Sequence, residues 1–199
     1  MTLENLIIEK FKIKREGSPP YKAQEGTRET LAQFFGETGF KNGAEIGVLR
    51  GAYSLLLCQY IPNLKLKCID PWAAFRRNSQ ERMDRNFRRA RLRLKRFDAE
   101  LIKKTSMDAV REITNGCLDF VYIDGMHEFD FVMPDIIFWS DKVKSGGIVA
   151  GHDYISDEWH TQVKSAVDIY TKIHGIKDYY LTSEIQTDHT APSFFWVKP

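Results

Sequence analysis

Cysteine is scarce in this chain. Cys58, Cys68 and Cys117 are odd in number and far apart, with no C-x-x-C spacing. That excludes a disulfide framework and a paired-cysteine zinc site. The three read as buried thiols of a reducing compartment, which points to the cytoplasm. Long apolar runs are also missing: none approaches the roughly 18–20 residues of a membrane span, so no membrane partner is expected. The opening segment, MTLENLIIEKFKIKRE, scatters charges through its length. It lacks the basic start, apolar centre and small-residue cleavage site of a signal peptide. There is no internal repeat, no low-complexity tract and no G-x-G-x-x-G dinucleotide fingerprint.

What is present is an ordinary globular composition, 43% hydrophobic and 28% charged over 199 residues, enough for one domain with a sizeable core. The net charge of +2 conceals a local excess. Residues 76–96, RRNSQERMDRNFRRARLRLKR, hold nine arginines and one lysine against Glu81 and Asp84, so the rest of the chain is acidic. Nine arginines in 21 residues exceed what solubility needs and suggest an anionic partner. Phe87 is the block's one aromatic residue, which argues against a single-strand stacking platform. The block could meet nucleic acid, an acidic glycan or a phosphorylated substrate, or form a solvated helix face.

Along the chain, Leu3, Leu6, Ile7 and Phe11 fall near helical spacing, and GSPPY (17–21) interrupts them. Residues 1–25 therefore read as an N-terminal arm or helix. Residues 26–199 read as the main domain, with 73–97 as a basic lid or helical insertion. A helix is expected over 26–38. Strand-like segments follow at 43–48, 64–70, 99–105, 118–124 and 146–153, alternating with helical ones at 53–61, the arginine-rich block, 107–113, 133–143 and 158–175. DYYLTSEI and SFFWVKP close the chain as two more strands. The aromatic-rich last segment suits an inner strand or a homodimer contact. Repeated strand–helix alternation predicts an α/β fold: a doubly wound, Rossmann-like, seven-stranded sheet, mostly parallel, with a C-terminal antiparallel hairpin. Ligands of such sheets bind beyond the carboxyl ends of the strands.

Those ends carry the polar residues. The first strand runs into EIGVLRG (45–51), where Gly47 and Gly51 let a ligand approach the backbone. A pyrophosphate there would meet the carboxylate of Glu45, whereas a ligand with a cationic centre would not. Asp70 ends the second strand, placed to accept from two ribose hydroxyls. Trp72 and Met107 could flank an adenine, and Ser106 could bond its edge. Asp124 and Asp153 end neighbouring strands and could converge on one point, as a hard cation such as Mg²⁺ requires. His127 stands three residues after Asp124 and could take a proton at neutral pH.

Taken together, Glu45-x-Gly47-x-x-x-Gly51, Asp70, Ser106, the IDG of 123–125 and the Gly146-Gly147 strand resemble the class I S-adenosylmethionine-dependent methyltransferases over about residues 26–199. EIGVLRGAYS, IDPW, DFVYIDGMHEFD and KSGGIVAGHDY are similar to a small bacterial subgroup akin to the metal-dependent O-methyltransferases of catechols and antibiotic sugars. The resemblance implies a methyl transfer to a hydroxyl of a small molecule or saccharide, with an anionic acceptor suggested by the basic lid. It implies a cofactor site of Glu45, Gly47, Gly51, Ser54, Asp70, Trp72, Ser106, Met107 and Asp124. It further implies a divalent metal, Mg²⁺ or Mn²⁺, at Asp124, His152 and Asp153, with His127 as general base. The chain departs from those relatives at His152, where they carry an acid; imidazole suits Mn²⁺ better than Mg²⁺.

Two other readings compete. His127, His152 and Asp153 could supply the two-histidine, one-carboxylate set of an iron oxygenase or a metal hydrolase. The arginine block could belong to a non-catalytic nucleic-acid-binding protein. Among the remaining side chains, Tyr154 and Trp159 could line an acceptor pocket. Trp139, Trp159 and Trp196 suit the core or a subunit contact, and His160, His174 and His189 suit the surface. Glu128, Asp130 and Asp135 read as capping or solvated acids.

Overall fold

The computed structural model describes residues 2–156, 161–183 and 191–199. Seven helices and eight strands alternate over most of the described chain. In order they are α1 (Leu3–Phe11), β1 (Tyr21–Lys22), α2 (Arg28–Glu37), β2 (Asn42–Ile46), α3 (Ala52–Tyr60), β3 (Lys65–Ile69), α4 (Gln80–Leu94), β4 (Ala99–Ile102), α5 (Ser106–Val110), β5 (Leu118–Ile123), α6 (Phe129–Ser140), β6 (Val143–Gly151), α7 (Val163–Ile173), β7 (Tyr180–Leu181) and β8 (Phe194–Val197). No helix among the described residues is long and apolar enough to cross a membrane.

The strands form one sheet in the order β1-β7-β8-β6-β5-β2-β3-β4. Neighbours from β6 to β4 are parallel, and β8 runs antiparallel to both β6 and β7. Strand alternation divides the core between the two faces. Phe120 and Tyr122 of β5 join Ile7 and Phe11 of α1, Leu31 and Phe35 of α2, Leu57 of α3 and Ala90 of α4. Val121 and Ile123 point the other way, onto Val132, Ile136 and Trp139 of α6 and Val167 of α7. A strand buried on both faces cannot alternate apolar with polar residues, so LDFVYI reads as a continuous buried run.

Local chemistry sets the element ends. The hydroxyl of Thr2 accepts from the Asn5 amide at the start of α1, and Thr27 and Thr30 cap the start of α2 reciprocally. Thr105 accepts from the Asp108 amide and starts α5, which is why β4 stops at Ile102 instead of running to residue 105.

The sheet holds eight strands, not the seven expected. The addition is β1, where the chain after GSPPY lies along β7: the Tyr21 and Ala23 amides donate to the Tyr179 and Leu181 carbonyls at 2.9 and 2.8 Å. Two residues are too few to show a strand period in the sequence. Helix α6 starts at Phe129, four residues before the expected Met133, and carries Pro134 within its length. Cys58 and Cys68 are buried, but Cys117 is exposed in the turn before β5, so that thiol departs from the expected burial. Trp139 and Trp196 lie in the core as expected. His174 ends α7 and stacks on Tyr170. Trp159, His160 and His189 lie outside the described residues.

Candidate functional site

Five parallel strands, β2 to β6, deliver their carboxyl ends to one edge, and the polar groups gather there. At the end of β2 the chain must turn sharply under the start of β5's loop. A Cβ at Gly47 (φ +91°) would sit 2.0 Å from the Asp124 carbonyl oxygen, so no side chain fits. Gly51 starts α3 at φ +68°, and a Cβ there would press on Ala90 of α4 at 3.1 Å. The turn between them is tied down from β3. Asp70 accepts from the Leu49 amide at 2.9 Å and from the Trp72 amide at 2.7 Å. Burial pushes the Asp70 carboxyl above the ordinary range, and these backbone donors, with that of Val48, oppose it.

Several residues assigned to the cofactor are already engaged within the protein. Glu45 is buried and accepts from the Ser54 hydroxyl. Burial pushes its carboxyl up to about 8. Trp72 is fully buried against Phe87 of α4, and its indole N–H donates to the Leu49 carbonyl at 2.9 Å. Ser106 donates to Asp135 and accepts from the Trp139 indole at 2.8 Å. Met107 is partly buried against the core beneath α5.

The ends of β5 and β6 form a second cluster. His127 Nε2 lies 3.0 Å from one Asp153 oxygen, and His152 Nδ1 lies 3.2 Å from the other. Asp153 holds this place in the left-handed region (φ 59°), which aspartate tolerates better than most side chains. Burial alone would raise its carboxyl. The hydrogen bond from His152, the two imidazoles and Arg28 outweigh that and hold it below the usual range. Asp124 is raised by burial, against the opposing pull of His152, Arg28 and His127. The ligand atoms of Asp124, His152 and Asp153 all lie within 4.8 Å of one another. Two carboxylates and an imidazole at that separation fit a divalent cation in size and chemistry. A small cavity beside them is lined by Asp124, Gly125, Met126, His127, Val132 and His152.

Three contacts have no counterpart in the sequence reading. Arg28, in the first turn of α2, reaches Asp124 at 3.3 Å while its guanidinium lies 4.3 Å from the Tyr53 ring centre and 5.5 Å from that of Tyr122. Nothing in the local sequence marks it, because its partners are 25 to 96 residues away. Asp135 is a correction: it is neither a cap nor solvated, but buried and bonded to Ser106, and burial raises it to about 6. An acid inside the apolar run FVMPDIIFW was the available signal. Glu128 stands at the N-cap of α6 without a side-chain capping bond and instead pairs with Arg76 from the loop before α4. Tyr154, expected near a pocket, donates its hydroxyl to Asp168 at 2.5 Å.

Comparison with known proteins adds to this geometry. The family model of the methyltransferase domain matches residues 44–154. No curated protein matches the chain. Among solved structures, the fold is similar to an O-methyltransferase of Bacillus cereus in complex with S-adenosylhomocysteine (TM-score 0.64, 14% identity, 98% of this chain and 88% of that one). It is similar to TomG of Streptomyces achromogenes, an O-methyltransferase involved in tomaymycin synthesis, in complex with S-adenosylmethionine (0.61, 14%, 86% and 79%). It is also similar to an rRNA methylase of Streptococcus thermophilus (0.62, 14%, 88% and 99%). At such identities the likeness is one of fold.

Proposed function

Because the chain belongs to the methyltransferase-domain family of class I, S-adenosylmethionine-dependent enzymes, we propose that it methylates a hydroxyl of a small molecule or saccharide, with His127 as general base. The observation that carries this reading is the His127–Asp153 contact of 3.0 Å beside Asp124, at the carboxyl edge of the sheet. Asp153 accepts from Nε2–H and fixes the imidazole with Nδ1 free to take a proton. His127 is 42% exposed, so an acceptor can reach it.

The chemistry then balances simply. Nδ1 takes the hydroxyl proton, and the oxygen attacks the methyl carbon. The carbon–sulfur bond breaks, with its electron pair going to sulfur, which neutralises the sulfonium and leaves S-adenosylhomocysteine. No acid is needed for the leaving group, so the protein contributes position and exclusion of water. Gly47 and Gly51 would give the cofactor access to the backbone, and Asp70 would accept from its ribose using lone pairs that the Leu49 and Trp72 amides leave available. Asp124, His152 and Asp153 would hold a divalent metal, Mn²⁺ in preference to Mg²⁺, and the metal would orient the acceptor oxygens and ease their deprotonation.

Calorimetry with S-adenosylhomocysteine, with and without Mn²⁺, tests the cofactor and the metal; an acceptor screen then supplies a turnover assay. His127→Ala is expected to keep S-adenosylhomocysteine affinity and lose turnover. Full turnover by that variant would sink the assignment of the base. Cofactor affinity that survives Asp70→Ala unchanged would sink the cofactor site.

A further inference from the structure

No residue of the arginine-rich segment lines the small cavity beside Asp124 and His152. The segment forms α4, whose inner face buries Met83, Asn86, Ala90 and Leu94, while Arg82, Arg85, Arg88, Arg89, Arg91 and Arg93 are all exposed. Arg82, Arg85, Arg89 and Arg93 follow one another at three- and four-residue steps, each one residue before a buried position, so they fall in one stripe along a flank of the helix. Arg96, just past the helix end, continues it. The stripe rises about 16 Å from Arg82 to Arg93 at ~1.5 Å per residue. It is little neutralised: among the described residues, Arg85 alone of these five meets an acid within 4 Å, Glu81 at 3.8 Å. Arg93 also donates to the Arg50 carbonyl at 2.7 Å, which places this flank of α4 beside the Gly47–Gly51 turn.

Shape decides what such a stripe can bind. A small phosphorylated sugar needs a concave site with a few converging donors. Here the donors stand on a convex, straight rod. Phe87 faces inward against Trp72, so the stripe offers no exposed ring for base stacking. A convex helix studded with arginines is suited to the phosphate backbone that flanks a wide groove. The major groove of B-form DNA, about 12 Å wide, admits a helix, whereas the deep and narrow major groove of A-form RNA does not. Arginine in preference to lysine fits forked contact with phosphate oxygens. We propose that the arginine-lined flank of α4 is a docking surface for double-stranded DNA, recognised through its backbone without regard to sequence. Ahead of α4, Arg76 pairs with Glu128, the residue after His127. The proposal goes beyond the methyl-transfer reading and does not depend on it.

Fluorescence anisotropy of a duplex of about 20 base pairs, titrated with the full chain between about 50 and 200 mM salt, tests this. Micromolar binding at the low-salt end is expected, with log K falling against log salt at a slope of about −4 to −5 for five phosphates neutralised. Arg82→Gln, Arg85→Gln and Arg89→Gln together should make the slope shallower by roughly two to three and weaken binding at least about tenfold. The cofactor affinity, read by S-adenosylhomocysteine calorimetry, should not change. Lys14→Gln, Lys172→Gln and Lys177→Gln remove as much charge from exposed positions away from α4 and should leave DNA binding within about twofold of the parent if the stripe is the site. Absence of DNA binding by the parent at low salt, equal losses in the two triple variants, or tighter binding of an RNA duplex or a heparin fragment of equal charge would overturn the proposal.

Discussion

Two serine-bonded acids and Asp153, all at the carboxyl edge, are held in opposite ways. Beneath the cofactor turn, Glu45 and Asp135 are buried, and each meets a serine hydroxyl, from Ser54 and Ser106. Burial pushes them up to about 8 and about 6. At the ends of β5 and β6, Asp153 is only partly buried and lies between two imidazoles, and it is held below the usual range. A single hydroxyl donor does not offset the loss of water around a carboxylate, whereas the donors and positive charge converging on Asp153 do. Glu45 thus stays protonated at neutral pH, whereas Asp135 loses its proton near pH 6. Asp153 stays charged and can accept from the His127 imidazole.

The strongest way to break that contrast is at Asp153. Asp153→Asn keeps a side chain that tolerates the left-handed backbone but removes the charge that orients His127. Turnover should fall by about 10²–10⁴, while S-adenosylhomocysteine affinity stays within a few-fold; steady-state rates and calorimetry separate the two. Next in size is Gly47→Ala, which drives a methyl group into the Asp124 carbonyl. It should cost several kcal/mol, of the order seen for strained special backbone positions, and lower the urea midpoint sharply.

The scaffold acids should respond to pH. A carboxyl raised to about 8 in the fold binds a proton there that the unfolded chain has released above its ordinary range near 4.5. Stability therefore falls as pH rises through that window and levels off above about 8. Glu45→Gln keeps an acceptor for Ser54 and cannot ionise. It should match the parent near pH 5 and exceed it by a few kcal/mol near pH 9 in urea denaturation. Asp135→Asn should show the same sign with a smaller gain, developed between about pH 4 and 6. A difference between variant and parent that does not grow with pH would mean that these carboxyls are not raised in the fold.

The sheet was legible because alternation and buried runs are local signals. LDFVYI, KLKCI and AELI announced themselves as strands, and each strand end named the residue that the edge presents. The two-residue β1 and the early start of α6 were not, since one is set by pairing with Tyr179 and Leu181 and the other begins ahead of a proline. The same limit governs the edge residues. Asp124, His127, His152 and Asp153 stand together because β5 and β6 are adjacent, and adjacency follows from strand order. Which groups their neighbours already hold is a matter of packing. Arg28 on Asp124, Asp135 under Ser106 and the inward turn of Trp72 all rest on contacts across tens of residues, where no periodicity speaks.

The insertion of β8 between β6 and β7 has a consequence for the order of synthesis. Strand β6 carries His152 and Asp153 beyond its end and receives its second row of backbone partners from Phe194–Val197, more than forty residues later. Until those residues leave the ribosome, β6 is an open edge of the sheet, and Ile148, Val149 and Ala150 lack the strand that flanks them in the finished fold. The nascent chain can pair β2 to β5 well before β6 gains its last neighbour. The strand that supports the histidine–aspartate cluster is thus among the last to be enclosed, and the stretch of translation between β6 and β8 is when this chain is most open to wrong pairing.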